Sequence, residues 1–525
     1  MDKKLMVFLI VIFSVYYSPL TFADKGKDKG KDKGESCYVS GNPDYKEHKH
    51  NEHEHEQSNK HQLGSNKNPY SSLAEVEADE VCNHIHVLYS DTVLDGGITL
   101  RDGQKLTGEK GKHGKNIKHI KLPIITNSTF ATSFGAGVIL AKDNEVKHLH
   151  FKDTQNSSIV GSFQFQPFGG KQKLDNVLIT GANQAGLFDP ALGGFNANPS
   201  VLLASFEDMD ISIKKSDIGQ SNVGSIIISS FGGHTDVTIK ETNIHDQAQL
   251  SENYEQSPGI MIIALENSSI TASLKNVKVD NIGSEFISNS DGLLFLNQGT
   301  ANMSVEVGGY QFTNPDKGGH SGTSTGIEMG FFGSSGGGTF TAVVKNSTIE
   351  GAFAAGIQVL DMFSYGSNTL NVSLQDNEIS EIDGSGIQVL AAATPYSNLS
   401  VNISNNTITD SSSSGFLANM WDGPLDSVNI MFEGNTFENS SQFGMYFWLE
   451  PSAVVNNLEF DAGLGVLGSN GMNRIINSGI DINADGAHIS AGNNWWGSNT
   501  GPAAVGEENG GSVDYTPFLL VDPKQ

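Results

Sequence analysis

From Leu399 to Ile408 the chain reads Leu-Ser-Val-Asn-Ile-Ser-Asn-Asn-Thr-Ile. Apolar Leu399, Val401 and Ile403 alternate with polar Ser400, Asn402 and Ser404. Period-two alternation predicts a half-buried strand. Asn405-Asn406 then suits a turn, because asparagine tolerates left-handed backbone and bonds its own main chain. A short second strand through Thr407 and Ile408 follows, then polar residues 410–414, and Gly415 opens a third strand. The template recurs at Leu370-Asn-Val-Ser-Leu with Asp376-Asn377, at Phe340-Thr-Ala-Val-Val with Asn346, and at Val428-Asn-Ile-Met-Phe with Asn435. Weaker copies run through residues 177–186, 211–218, 237–244 and 274–279. Helical periodicity is nearly absent.

The recurrence has a fixed step. Gly356-Ile-Gln-Val-Leu returns as Gly386-Ile-Gln-Val-Leu, then in altered form from Gly415 and Gly444, at intervals of 30, 29 and 29 residues. Ile349, Ile379, Ile408 and Phe437 keep the same intervals. Self-similarity at this period marks a solenoid. Three short strands per unit make it an all-β, parallel β-helix of roughly 29 residues per coil. At ~4.8 Å per coil, about ten to fourteen coils give a rod of roughly 50–65 Å. Ile349, Ile379, Ile408 and Phe437 are expected in one column.

Two further stretches carry a resemblance. Gly492-Asn-Asn-Trp-Trp-Gly497, Gly501-Pro502 and Val513-Asp-Tyr-Thr-Pro-Phe518 resemble the closing segment of right-handed parallel β-helix proteins of the pectin-lyase-like superfamily. Tyr38-Val39-Ser40 and the run from Asn68 to Glu75 resemble their opening segment. The run from Asp95 to Gly108 is similar to the first coils of passenger regions of bacterial inverse-autotransporter-type proteins. The resemblance implies one right-handed β-helix over residues 67–525, with a cap near 492–525 where Trp495 and Trp496 close the end. No separate stretch reads as an outer-membrane barrel.

Residues 1–23 read as a secretory signal, with Lys3 and Lys4 before an apolar run and Thr21-Phe-Ala23 at the cleavage position. No membrane span is expected after its removal, and the protein is expected outside the cytoplasm. Cys37 and Cys82 are then free to form a disulfide. Each stands just before an expected strand, which places both sulfurs at one end of adjacent rungs. Residues 24–66 are expected to be disordered apart from a first strand near 37–40. That stretch holds a Lys/Gly repeat and a tract with His48, His50, His53, His55 and His61 alternating with acids. Such a tract can wrap Zn²⁺ or Ni²⁺ weakly. It is the one metal implied, and calcium stays open. His84 with His86, and His148 with His150, have the spacing that puts two rings on one strand face.

Charge narrows the partners. The net charge is −27, and residues 174–525 hold nine Lys or Arg against 38 Asp or Glu. An acidic rod repels nucleic acid and anionic membrane. A polysaccharide lyase needs a base and cations around a uronate. Beyond residue 173 there is one arginine, Arg474, and Lys214, Lys240 and Lys275 fall on outward strand positions. Asn289-Ser-Asp291-Gly292 followed by Gly318-Gly-His320 faintly echoes the superfamily's hydrolases, without their paired aspartates or basic clamp. Glu381, Asp383 and Asp410 recur near one corner and are the candidate catalytic carboxylates. Among the late aromatics, Phe416, Phe432, Phe437 and Tyr446 or Phe447 fit core rungs. Trp421 and Trp448 fall beyond the glycine-led strand, toward a loop, and are the carbohydrate-binding candidates. The favoured reading is a secreted or surface-exposed binding protein, adhesin-like or glycan-binding, without catalysis. The alternative is a polysaccharide-degrading enzyme, hydrolase or lyase, with a carboxylate-lined groove.

Overall fold

The structure, a computed structural model, describes residues 35–42, 63–109, 121–185, 198–221, 224–247, 258–282, 291–314, 324–333, 336–362, 364, 366–392 and 397–524. The expected signal, the Lys/Gly repeat and the histidine tract lie outside them. Strands stack into three parallel sheets of 16, 13 and 14 strands, each pairing with the equivalent strand one coil on. This is the right-handed parallel β-helix. Coil 398–421 shows the unit: Asn398–Ser404 in the first sheet, Thr407–Ser411 in the second, Ser414–Trp421 in the third. Sixteen first-sheet strands make fifteen steps, roughly 72 Å of stack at ~4.8 Å each. The rod is longer than the repeat predicts, because its first coils use strands as short as Leu94–Asp95 and Ile98–Thr99, too short to alternate.

Ile349, Ile379, Ile408 and Phe437 pair in register down the second sheet. The recurring glycines face them. A Cβ on Gly356, Gly386, Gly415 or Gly444 would stand 2.4, 2.3, 2.9 or 2.5 Å from a side-chain atom of Ile379, Ile408, Phe437 or Ile475. The two sequence markers are therefore the two halves of one contact. Phe416, Phe432, Phe437 and Phe447 are fully buried and interlock, with ring centroids of Phe416 and Phe432 4.6 Å apart at 82°. Tyr446 instead points outward.

The first turn of the later coils carries a ladder. Asn377, Asn406, Asn435, Asn473 and Asn494 are buried one above another. Each side-chain oxygen from Asn406 on accepts both the backbone N–H and an Nδ2–H of the asparagine one coil before, at 2.8–3.0 Å. The residue just before, such as Asn405 at φ +57°, supplies the left-handed step.

The ends are closed differently. A short helix, Leu73–Ala78, is capped by Ser72 and buries Leu73 and Val76 at the N-terminal end. It is the one α-helix among the described residues. At the other end Trp496 is buried in the core cluster, and Arg474 binds Glu438 and Asp522 at 3.0 and 2.8 Å. Cys37 and Cys82 are joined, with Cα atoms 5.6 Å apart. Cys37 lies inside the strand Glu35–Val39 opposite Ile85, rather than before it, while Cys82 opens the next strand opposite Glu35. The bond therefore runs diagonally across adjacent rungs. No described helix is long and apolar enough to cross a membrane.

Candidate functional site

The third sheet carries the chemistry, because its outer face changes character along the rod. Each strand buries alternate residues inward, as Phe416, Ala418 and Met420 do, and turns the others out. Over the early coils the outward column is Val160, Leu202, Ile227, Met261 and Leu294, all buried in a second apolar cluster. Phe163, Phe206 and Phe231 group at its margin with centroids 4.7–5.4 Å apart, a cluster not anticipated from the sequence. One coil after Leu294 the column becomes Glu328, then Gln358, Gln388, Leu417 and Tyr446. Gln358 Nε2 donates to Gln388 Oε1 at 2.9 Å.

The polar half ends on an aromatic platform. Trp448 stands opposite Asn419, and Trp421 is two residues beyond Asn419 on the same strand. Both tryptophans therefore share the outward face as diagonal neighbours, and both are half-buried. They belong to the strands Ser414–Trp421 and Phe443–Leu449, not to a loop. Tyr446 stacks on Phe443 at 4.5 Å and donates its hydroxyl to Asp485 at 3.4 Å. Desolvation first, then the Asp485 and Glu508 charges, push Tyr446 up to about 12. Asn509 Nδ2 donates to the other Asp485 oxygen at 2.6 Å.

Glu381, Asp383 and Asp410 do meet, around a shallow cleft at the corner between the second and third sheets, with Ser412, Asn439 and Ser441. Glu381 and Asp410 hold the same left-handed corner position in successive coils, φ +56° each, and Asn439 Nδ2 donates to Asp410 at 3.1 Å. Trp421 lies seven residues past the start of its strand, roughly 23 Å from that corner. Tyr446, three residues into its own strand, is nearer that corner, roughly 10 Å away, so the carboxylates and the two tryptophans lie at opposite ends of one face.

A different acid pair lies on the third sheet. Asp291 is buried and accepts the backbone N–H of Thr325 at 3.0 Å. Glu328 follows three residues later on that strand. Burial raises both: Glu328 is pushed up to about 7, and Asp291 well above the carboxylate range by burial and then by the Glu328 charge. The Tyr310 hydroxyl, buried nearby, donates to Gly326 O at 3.1 Å. The Asn-Ser-Asp-Gly echo touched Asp291. The sign for Glu328 is a lone acid inside the apolar run Thr-Gly-Ile-Glu-Met-Gly-Phe-Phe. His320 and, Gly292 apart, the rest of that echo lie outside the described residues, as do His48, His50, His53, His55 and His61.

Cations sit elsewhere. Lys214, Lys240 and Lys275 stack in register on the first sheet, and Arg474 is held between two carboxylates. None of the described third-sheet strands contains Lys or Arg.

No protein-family model matches the chain, and no curated protein matches it by sequence. Several solved structures are similar in shape. The A-module of the mannuronan C-5 epimerase AlgE4 of Azotobacter vinelandii is 12% identical, covers 86% of this chain and 95% of its own, and gives a TM-score of 0.37. The surface adhesin PfbA of Streptococcus pneumoniae is 11% identical, covers 72% of this chain and 84% of its own, and gives 0.34. The catalytic domain of a GH87 α-1,3-glucanase in complex with nigerose is 11% identical, covers 84% and 66%, and gives 0.36. None of these similarities reaches a level that transfers a site or an activity.

Proposed function

We propose that the protein is a secreted or surface-exposed solenoid that binds a glycan chain along the polar half of the third sheet. The observation that carries this reading is the platform of Trp421, Tyr446 and Trp448 on one flat face, with Asn419 and Asp485 beside it. Flat, half-exposed aromatic rings offer the apolar faces of sugars a surface, and adjacent amides and carboxylates take their hydroxyls. A face without Lys or Arg on an acidic body favours neutral over uronate-rich glycans. Replacing Trp448 with alanine is expected to cost ~2 kcal/mol, about thirtyfold in affinity for a glycan identified on an array. Trp421→Ala should cost a comparable amount, while Phe134→Ala on distant surface should change nothing. Calorimetry settles it: undiminished binding by both tryptophan variants removes the platform from the function.

One observation favours a second reading on the same face. Glu328 is a carboxyl with a proton available near neutral pH, as a general acid needs. It lies four coils from Tyr446, roughly 19 Å at ~4.8 Å per coil, so a chain on the platform could extend to it. Glu328→Gln is then expected to abolish any release of reducing sugar while Trp448→Ala weakens substrate binding. Stability gives an independent readout. The folded pKa of Glu328 lies above its unfolded value, so the folded state holds the extra proton, and stability falls as pH rises from about 4.5 to about 7. Glu328→Gln should flatten that part of the pH–stability curve. An unchanged slope would show that Glu328 titrates normally, and would leave the binding reading alone.

A further inference from the structure

We propose that His84 and His86 form a surface site for a borderline divalent metal ion, Cu²⁺, Ni²⁺ or Zn²⁺, on the outer face of the first sheet. They occupy alternate positions on the strand Cys82–Val87, whose Ile85 and Val87 point into the core. The sheet therefore turns both imidazoles outward, with centroids 4.0 Å apart. The rings are positioned by neighbours. Tyr38, opposite His86 on the preceding strand, stacks on it at 4.7 Å and 16°. His86 Nδ1 lies 2.8 Å from Glu109 Oε1, and His84 Nε2 lies 3.1 Å from Thr107 Oγ1.

Those contacts engage one nitrogen of each ring. A carboxylate on Nδ1 selects the tautomer with hydrogen there, so His86 Nε2 keeps its lone pair. This carboxylate–histidine pairing orients a metal ligand. The Thr107 hydroxyl can take the Nε2–H of His84, leaving His84 Nδ1 as its donor. Two imidazoles with water completing the shell suit a borderline ion rather than Ca²⁺ or Mg²⁺. Lys105, directly opposite His84, opposes a bound cation, but its ammonium leans to Glu145 at 3.5 Å. Binding is accordingly modest and should tighten in Lys105→Gln.

The test must separate this site from the histidine tract. The full-length chain with His48, His50, His53, His55 and His61 all replaced by asparagine is titrated with CuCl₂, followed by calorimetry and by nitrogen hyperfine splitting in electron paramagnetic resonance. The expected result is one Cu²⁺ per chain with two nitrogen ligands. Adding His84→Gln or His86→Gln should weaken binding at least tenfold, and Glu109→Gln about tenfold through ligand orientation. Loss of all specific binding on replacing the tract, or binding undiminished by His84→Gln and His86→Gln, would overturn the proposal. Circular dichroism confirms that each variant keeps the β-helix.

Discussion

Replacing Gly386 with alanine is expected to destabilise the protein by about 3 kcal/mol, although it adds one methyl group. That methyl would lie 2.3 Å from Ile408 Cγ2 and 2.7 Å from the carbonyl oxygen of Gly415. The side chain could yield only by displacing a fully buried member of the column that also holds Ile379 and Phe437. The carbonyl is backbone one coil on, in register with the strand that Gly386 belongs to. Moving it would shift the third sheet against its neighbour and disturb the coils on both sides, since each repeat contacts only the next. The cost is therefore strain in the stack, not local overpacking alone. Urea unfolding followed by circular dichroism measures it. Ser400→Ala on an exposed strand position should stay within about 0.5 kcal/mol of the parent. A Gly386→Ala protein as stable as that control would mean the coils give way more easily than this geometry allows.

That glycine shows why the fold was legible. A stacked solenoid repeats the same contact in every coil, so the sequence repeats the residues that make it. Gly386 against Ile408 recurs as Gly356 against Ile379 and Gly415 against Phe437, and the period is written in the letters. What did not repeat was harder to read. The first coils use two-residue strands that cannot alternate. In the third sheet Ile226-Ile227-Ile228 is buried on both faces, so period two vanishes and an outward side cannot be told from an inward one. The candidate site was half legible for the same reason. Trp421 and Trp448 stood out as residue types, but the length of their strands, which turns them onto a flat face instead of a loop, depended on pairing with neighbouring coils. Glu381, Asp383 and Asp410 were found together because a corner recurs in every coil. Glu328 breaks the pattern once, and only its place after Leu294 in the outward column gives it meaning. The disulfide partners were readable from their places beside two expected strands, but not their diagonal register.

The asparagine ladder was visible only as turn residues, yet breaking it is expected to cost the most. Asn406 is fully buried. Its side-chain oxygen accepts the backbone N–H of Asn377 at 3.0 Å and its Nδ2–H at 2.8 Å. Its own Nδ2 donates to Leu374 O at 2.9 Å and to Asn435 Oδ1 at 3.0 Å. Asn406→Ala would leave two buried donors of Asn377 without this acceptor and remove a donor from Leu374 O. At about 1–3 kcal/mol for each buried group left unsatisfied, the loss should be on the order of 4 kcal/mol. Shape alone cannot account for it, and Asn406→Asp separates the two contributions. Aspartate keeps the acceptor and the volume but buries a charge, so its carboxyl would bind a proton more tightly folded than unfolded. Its stability should therefore rise as pH falls from 7 toward 4, approaching the parent, whereas Asn406→Ala should show no such recovery relative to the parent. Urea unfolding at both pH values, with the parent measured alongside, is the experiment. A loss below about 1 kcal/mol for Asn406→Ala would mean that the ladder fills space and bonds itself without stabilising the stack. Equal pH profiles for Asn406→Ala and Asn406→Asp would mean that the side chain at 406 can reach water, which the closed ladder forbids.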